Sequence, residues 1–196
     1  MKLRVLCLAV LCGLGAGCGA DDATAPGSSD ASITYTLNGT RYRLSGSLSS
    51  SLTEPFVVAR ADSVGGFVVV GYETGGKGKG DLLVLQGPRQ TGGLQCAVAG
   101  TPCHGRMITG ITGSNTSSFD RFFAITSGTV NVTAIGPERL RAHFSVTLQA
   151  NDSLANGTLV IQDGSIDVPY LADPQTAGSL ECLLSRVGVG SGSCRN

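Results

Sequence analysis

The sequence predicts an all-β chain: an antiparallel β-sandwich or partly open β-barrel of roughly ten strands, rich in meanders. Three observations lead to this. From Leu140 to Gln149 apolar and polar residues alternate strictly, with Leu140, Ala142, Phe144, Val146 and Leu148 on one side and Arg141, His143, Ser145, Thr147 and Gln149 on the other. Successive side chains of a strand point to opposite faces, so this stretch has one buried and one wet face. Turn-forming pairs punctuate the apolar runs, among them Asn38-Gly39, Gly136-Pro137, Asn151-Asp152, Asn156-Gly157 and Asp163-Gly164. The composition fits as well: 41% hydrophobic and 14% charged residues allow a core, and 29 glycines without a tryptophan suit many turns.

The chain opens with a leader, residues 1–18. Lys2 and Arg4 precede an apolar run, Val5 to Leu14, too short for a permanent membrane span. Gly15, Ala16 and Gly17 then lead into Cys18, an end that resembles the lipobox of bacterial lipoproteins, in which the cysteine is acylated and becomes the mature N-terminus. Gly15 stands where that motif usually has leucine, and an ordinary cleaved leader with an incidental cysteine is the alternative. Residues 19–32, small and polar with Pro26, read as a flexible tether to a single β domain over 33–196. Gly19 directly after the cysteine suggests sorting to the outer membrane; periplasmic or secreted forms are the alternative.

Within the domain, Ile33 to Gly46 reads as a hairpin turning at Asn38-Gly39. Ser45 to Thr53 is polar and reads as a loop. Phe56 to Ala61 and Phe67 to Tyr72 are nearly continuous apolar runs, which predicts strands covered on both faces. Thr74 to Gly80, with Lys77 and Lys79, has the glycine and lysine content of a phosphate cradle but lacks the Gly-Lys-Ser/Thr ending that opens a helix. It reads as a hairpin tip before the strand Asp81 to Leu85. Gln86 to Arg106 is the longest stretch without a strand pattern. Met107 to Ile111 and Phe119 to Thr126 are strands, the latter running into the central meander. The tail from Leu171 to Asn196 reads as a strand or one helical turn.

The chain has seven cysteines. Cys7 and Cys12 leave with the leader and Cys18 takes the lipid, so Cys96, Cys103, Cys182 and Cys194 remain for an oxidising compartment. Three pairings are open; Cys96 with Cys103 and Cys182 with Cys194 close the shortest glycine-containing loops. The sharper alternative is a metal held by Cys96, Cys103 and the adjacent His104, although this spacing differs from the close cysteine pairs of zinc sites.

No catalytic set stands out. The two histidines, His104 and His143, lie in the cysteine loop and on the wet face of a strand. Gly188-Val189-Gly190-Ser191-Gly192 lacks the register of a nucleophile elbow. No acid pair has general acid–base spacing, and Asp163 to Asp167 lacks the oxygen run of a calcium loop. The net charge is zero and no basic stripe exists, which argues against nucleic-acid binding. Five Asn-x-Ser/Thr triplets, at Asn38, Asn115, Asn131, Asn151 and Asn156, follow from the turn-rich composition.

The order NGTRYR, SGTVNVTAI, LRAHFSVTLQ and IQDGSIDVPY resembles a family of bacterial lipoproteins built on a domain of unknown function, with Ile166 where that family usually has phenylalanine. The resemblance implies an exported all-β domain and no site residues. The expectation is therefore a non-enzymatic, lipid-anchored envelope protein without cofactor or metal, acting as a binding or scaffold module. Its contact surface would be the two loops carrying Lys77, Lys79, Arg89, His104 and Arg106, and its partners the membrane and another envelope protein. The alternative is a lipocalin-like barrel holding a small apolar ligand inside.

Overall fold

The computed structural model describes residues 31–47, 54–61, 65–75, 79–97, 101–112, 119–151, 157–171, 182 and 185. Residues 1–30 (with Cys18), Lys77 and Cys194 lie outside them; of the stretch read as a tether over 19–32, Ala31 is instead buried in the core and Ser32 opens the first strand. Ten strands are found among the described residues: β1 Ser32–Leu37, β2 Thr40–Ser45, β3 Phe56–Ala61, β4 Gly66–Thr74, β5 Lys79–Pro88, β6 Gly92–Gln95, β7 His104–Thr112, β8 Arg121–Ile135, β9 Arg139–Ala150 and β10 Thr158–Leu171.

The all-β prediction holds, and the barrel is closed rather than partly open. Strands β3, β4, β5, β7, β8, β9 and β10 pair in sequence, and the ring shuts where β10 meets β3. That last contact is parallel and only two pairs long, Tyr170 with Ala59 and Leu171 with Arg60. The other ladders are antiparallel. β1 and β2 extend from β10, and β6 extends from β8. Long strands make this branching possible: β10 offers one edge to β9 and splits the other between β1 and β3. The β1–β2 hairpin turns at Asn38 (φ 48°) and Gly39 (φ 86°), the left-handed pair that a two-residue turn requires. Asn38 also clasps β10: its side-chain oxygen accepts a hydrogen bond from the Val160 N–H at 3.1 Å.

Three sequence expectations need correction. Asp163-Gly164 is not a turn between strands but lies at a bulge inside β10, where Gln162 and Asp163 face the single residue Ser145 of β9. Asp-Gly tolerates the φ of 51° found at Asp163, so turn and bulge share one sequence signal. The strand read as Phe119 to Thr126 does not end there; through a bulge at Thr126 it continues past Ser127-Gly128 as one strand, β8. The stretch 86–106 does contain a strand, β6, whose sequence Gly-Gly-Leu-Gln has no alternation to reveal it.

The barrel interior is one apolar cluster. Tyr35, Phe67, Leu83, Leu85, Met107, Ile125, Leu140, Phe144 and Ile161 belong to it and are nearly inaccessible. Even glycines facing inward leave no room: a Cβ on Gly71 would stand 2.8 Å from Ile33 and 3.3 Å from Leu44, and one on Gly87 2.9 Å from Phe67 and 3.1 Å from Leu94. This is the close packing of a filled core. A second cluster, including Phe56, Val58, Val68, Val70, Leu82, Val84 and Ile108, lies on the opposite face of β3, β4, β5 and β7. All four are thus buried on both faces, which the continuous apolar runs predicted for β3 and β4.

Candidate functional site

The excursion between β5 and β7 builds a cleft at one end of the barrel. β5 stops at Gly87-Pro88, because a proline has no N–H to continue the ladder. The chain then runs through Arg89 to β6, and the Cys96–Cys103 disulfide returns it to β7, with a Cα–Cα distance of 4.3 Å. Hydrogen bonds brace this return. The Ala97 N–H donates to the Thr101 hydroxyl and to the Cys103 carbonyl, each at 3.2 Å, and the Thr101 hydroxyl donates to the Cys103 carbonyl at 2.8 Å. Pro102 and His104 are held in place as a result. They line a cleft of about 280 Å³ with Arg89, Pro88 and three glycines, Gly65, Gly66 and Gly87.

Two of the expected surface residues, Arg89 and His104, therefore meet. The Arg89 guanidinium lies 5.0 Å above the ring of Tyr170, a cation–π contact that fixes it at the lip of the cleft. The Tyr170 N–H donates to the Glu138 carbonyl at 2.7 Å, which fixes the backbone that carries the ring. Three glycines, two prolines, the imidazole of His104 and the guanidinium of Arg89 line it. Such a cleft is too small for a drug-sized ligand and suits an acidic side chain or a carboxylate end.

Lys79 and Arg106 are not part of it. Lys79 begins β5 and Pro88 ends it, so Lys79 and Arg89 stand at opposite ends of the barrel, and the two glycine-rich loops cannot form one contact surface. The Lys79 ammonium bonds both oxygens of Asp120 at 2.8 and 2.7 Å, an exposed ion pair of under about 1 kcal/mol. Arg106 lies 5.1 Å over the Phe122 ring, half-buried, and burial lowers its pKa. Lys77 lies outside the described residues.

The disulfide settles the cysteine alternatives for this pair. The sulfurs of Cys96 and Cys103 are bonded to each other, so neither is a thiolate ligand for a metal. Cys182 is also disulfide-bonded; its expected partner Cys194 lies outside the described residues. Cys182 and Ser185 are helical, and the Ser185 hydroxyl donates to the Cys182 carbonyl at 2.9 Å. No group of three metal-ligating side chains exists among the described residues.

The opposite barrel end is acidic. Glu73 and Asp81 face each other across β4 and β5, on the same side as the interior residues Val69 and Leu83. Burial, and then the Asp81 charge, raise the Glu73 pKa. Burial and the Asp120 charge raise that of Asp81, against a 3.0 Å hydrogen bond from the Gly110 N–H. A carboxyl raised in the fold holds its proton to higher pH than in the unfolded chain, so stability falls as pH rises from the ordinary carboxylate range through the raised values. Asp167, bonded by Arg139 and by Arg141, is lowered and acts in the other window, losing its stabilisation only as pH falls below that range. The melting midpoint is thus expected to climb as pH drops from 7 toward the carboxylate range. Glu73→Gln should flatten that climb and add about 0.5 kcal/mol at pH 7 by removing a like-charge cross-strand pair. A midpoint that only declines on acidification, or a variant less stable at pH 7, would refute this.

What sequence reading missed at the cleft is the partner set. Tyr170, Gly65, Gly66 and Gly87 carry no local signal that brings them to Arg89 and His104. Comparison of the chain with protein-family models, with curated proteins and with solved structures gives no match.

Proposed function

We propose that this is a lipid-anchored envelope protein of the bacterial lipoprotein kind, a binding module that engages an acidic segment of another envelope protein through the Arg89–His104 cleft. The observation that carries the reading is the contrast between a filled interior and a built exterior cleft. Inward glycines cannot accept even a methyl group, whereas Arg89, His104 and Pro102 are positioned around open space by a disulfide and a cation–π contact. Carriage of an apolar molecule inside the barrel finds less support, because such carriers need an interior space of some 300 Å³ or more. A catalytic role finds little support either. His143 is exposed and makes no hydrogen bond to a serine or aspartate among the described residues.

A photo-crosslinking residue placed at Pro102, in the full-length protein within its own membranes, tests the reading. One dominant adduct is expected, and Arg89→Ala should reduce it several-fold, while Lys79→Ala leaves it unchanged. Equal labelling from positions 79 and 102, or an adduct indifferent to Arg89, would exclude the cleft. Intact mass of the same material tests the anchor: an acylated chain beginning at Cys18 is expected, and an unacylated chain would refute it.

A further inference from the structure

We infer that the outer face of β8, β9 and β10 is a second binding surface, one that takes a neutral, polyhydroxylated ligand such as a glycan strand. The face is built in register. Asn131 stands opposite His143, which stands opposite Ser165; in the next row Thr129 stands opposite Ser145. Thr129, Asn131, His143, Ser145 and Asp163 border an open groove of about 410 Å³ whose floor is Phe144 and Gly164.

Three features point to a ligand. First, the β10 bulge brings Asp163 into this groove. Without the extra residue, only one side chain of β10 would face Ser145. Asp163 adopts φ 51°, uncommon for a residue with a side chain, and bulges re-aim side chains at sites of function. Second, the five bordering side chains are exposed and make no hydrogen bond or ion pair among the described residues. They offer hydroxyl, amide, imidazole and carboxylate groups, donors and acceptors together, which is the complement of vicinal sugar hydroxyls. Third, the charge suits an uncharged partner. The nearby cations, Arg139 and Arg141, are both committed to Asp167, and the groove itself holds one carboxylate and no cation, which disfavours phosphate or sulfate. No three ligands converge for a metal among the described residues. Neighbouring strands stand about 4.8 Å apart and successive rows about 6.8 Å along them, both on the scale of one pyranose ring. These side chains sit on strands rather than loops, so the ladders fix the backbone positions from which they project.

The test is an amide NMR titration of the mature protein with two neutral probes, a β-1,4-linked glucose hexamer and an N-acetylglucosamine hexamer, with inorganic phosphate as the anionic comparison. Saturable shifts confined to residues 129–131, 143–145 and 163–165 are expected with at least one hexamer and not with phosphate. Asn131→Ala and Asp163→Asn should each weaken binding by about five- to tenfold, the scale of one hydrogen bond. Asparagine tolerates the left-handed conformation at 163, and the remaining spectrum reports that each variant is folded. No saturable shift with either hexamer, shifts centred on Arg89, or a response to phosphate alone would each overturn the proposal.

Discussion

Replacing Gly128 with valine is expected to lower the melting midpoint of the domain by about 6–12 °C, without altering its disulfides. Gly128 follows the bulge at Thr126, where β8 gains a residue relative to β9. Its φ is 137°, a region side chains rarely adopt. A Cβ there would run into the Ser145 carbonyl oxygen and stand 2.6 Å from the Val146 Cα. Both obstacles are backbone, so no rotamer change relieves them. Gly128 cannot retreat either, because its carbonyl accepts the Cys96 N–H at 2.9 Å on the other side. Overpacking and the left-handed backbone together amount to roughly 3 kcal/mol. Gly93→Ala is the control: it lies in β6, opposite Asn131, with no atom within 4 Å of its would-be Cβ, and should melt with the parent. If the valine variant also melts with the parent, the strands at this junction are looser than the register implies.

The contrast between Gly128 and Gly93 shows what sequence carries and what it does not. Alternation between Leu140 and Gln149 marks β9 because one of its faces is buried and the other wet. The continuous apolar runs of β3 and β4 reveal double burial for the same reason. β6 escapes detection since two glycines remove half of its pattern. Closure of the barrel is not legible at all: it rests on Tyr170–Ala59 and Leu171–Arg60, residues more than a hundred positions apart, whose pairing leaves no mark on either segment. The same limit applies to the cleft. Arg89 and His104 attract notice as polar residues in an unpatterned loop, yet nothing local connects Arg89 to Tyr170 or separates it from Lys79. That separation follows from the length of β5, because a strand that long holds its two ends roughly 30 Å apart.

Removing the Cys96–Cys103 bond joins stability to the cleft. The loop it closes spans eight residues, 96 through 103, and loop-closure entropy of that size corresponds to about 2.5 kcal/mol. Cys96 and Cys103 are both buried in the interior cluster, so alanine at each position preserves most of the packing while releasing the constraint. The double variant is expected to melt about 5–10 °C below the parent. Crosslinking from Pro102 should also fall, since the segment Thr101–His104 loses its fixed return to β7. Reductant separates the two disulfides. It should bring the parent's midpoint down to or below that of the untreated double variant, and any further drop in the variant itself reports the bond made by Cys182. A double variant that melts with the parent but loses the crosslink would mean that the hydrogen bonds of Thr101 and Ala97 already hold the backbone, leaving the disulfide to position His104. One that melts low but keeps the crosslink would mean that Arg89, held by Tyr170 on the far lip, is sufficient for recognition and that the cysteine loop only stiffens the barrel end.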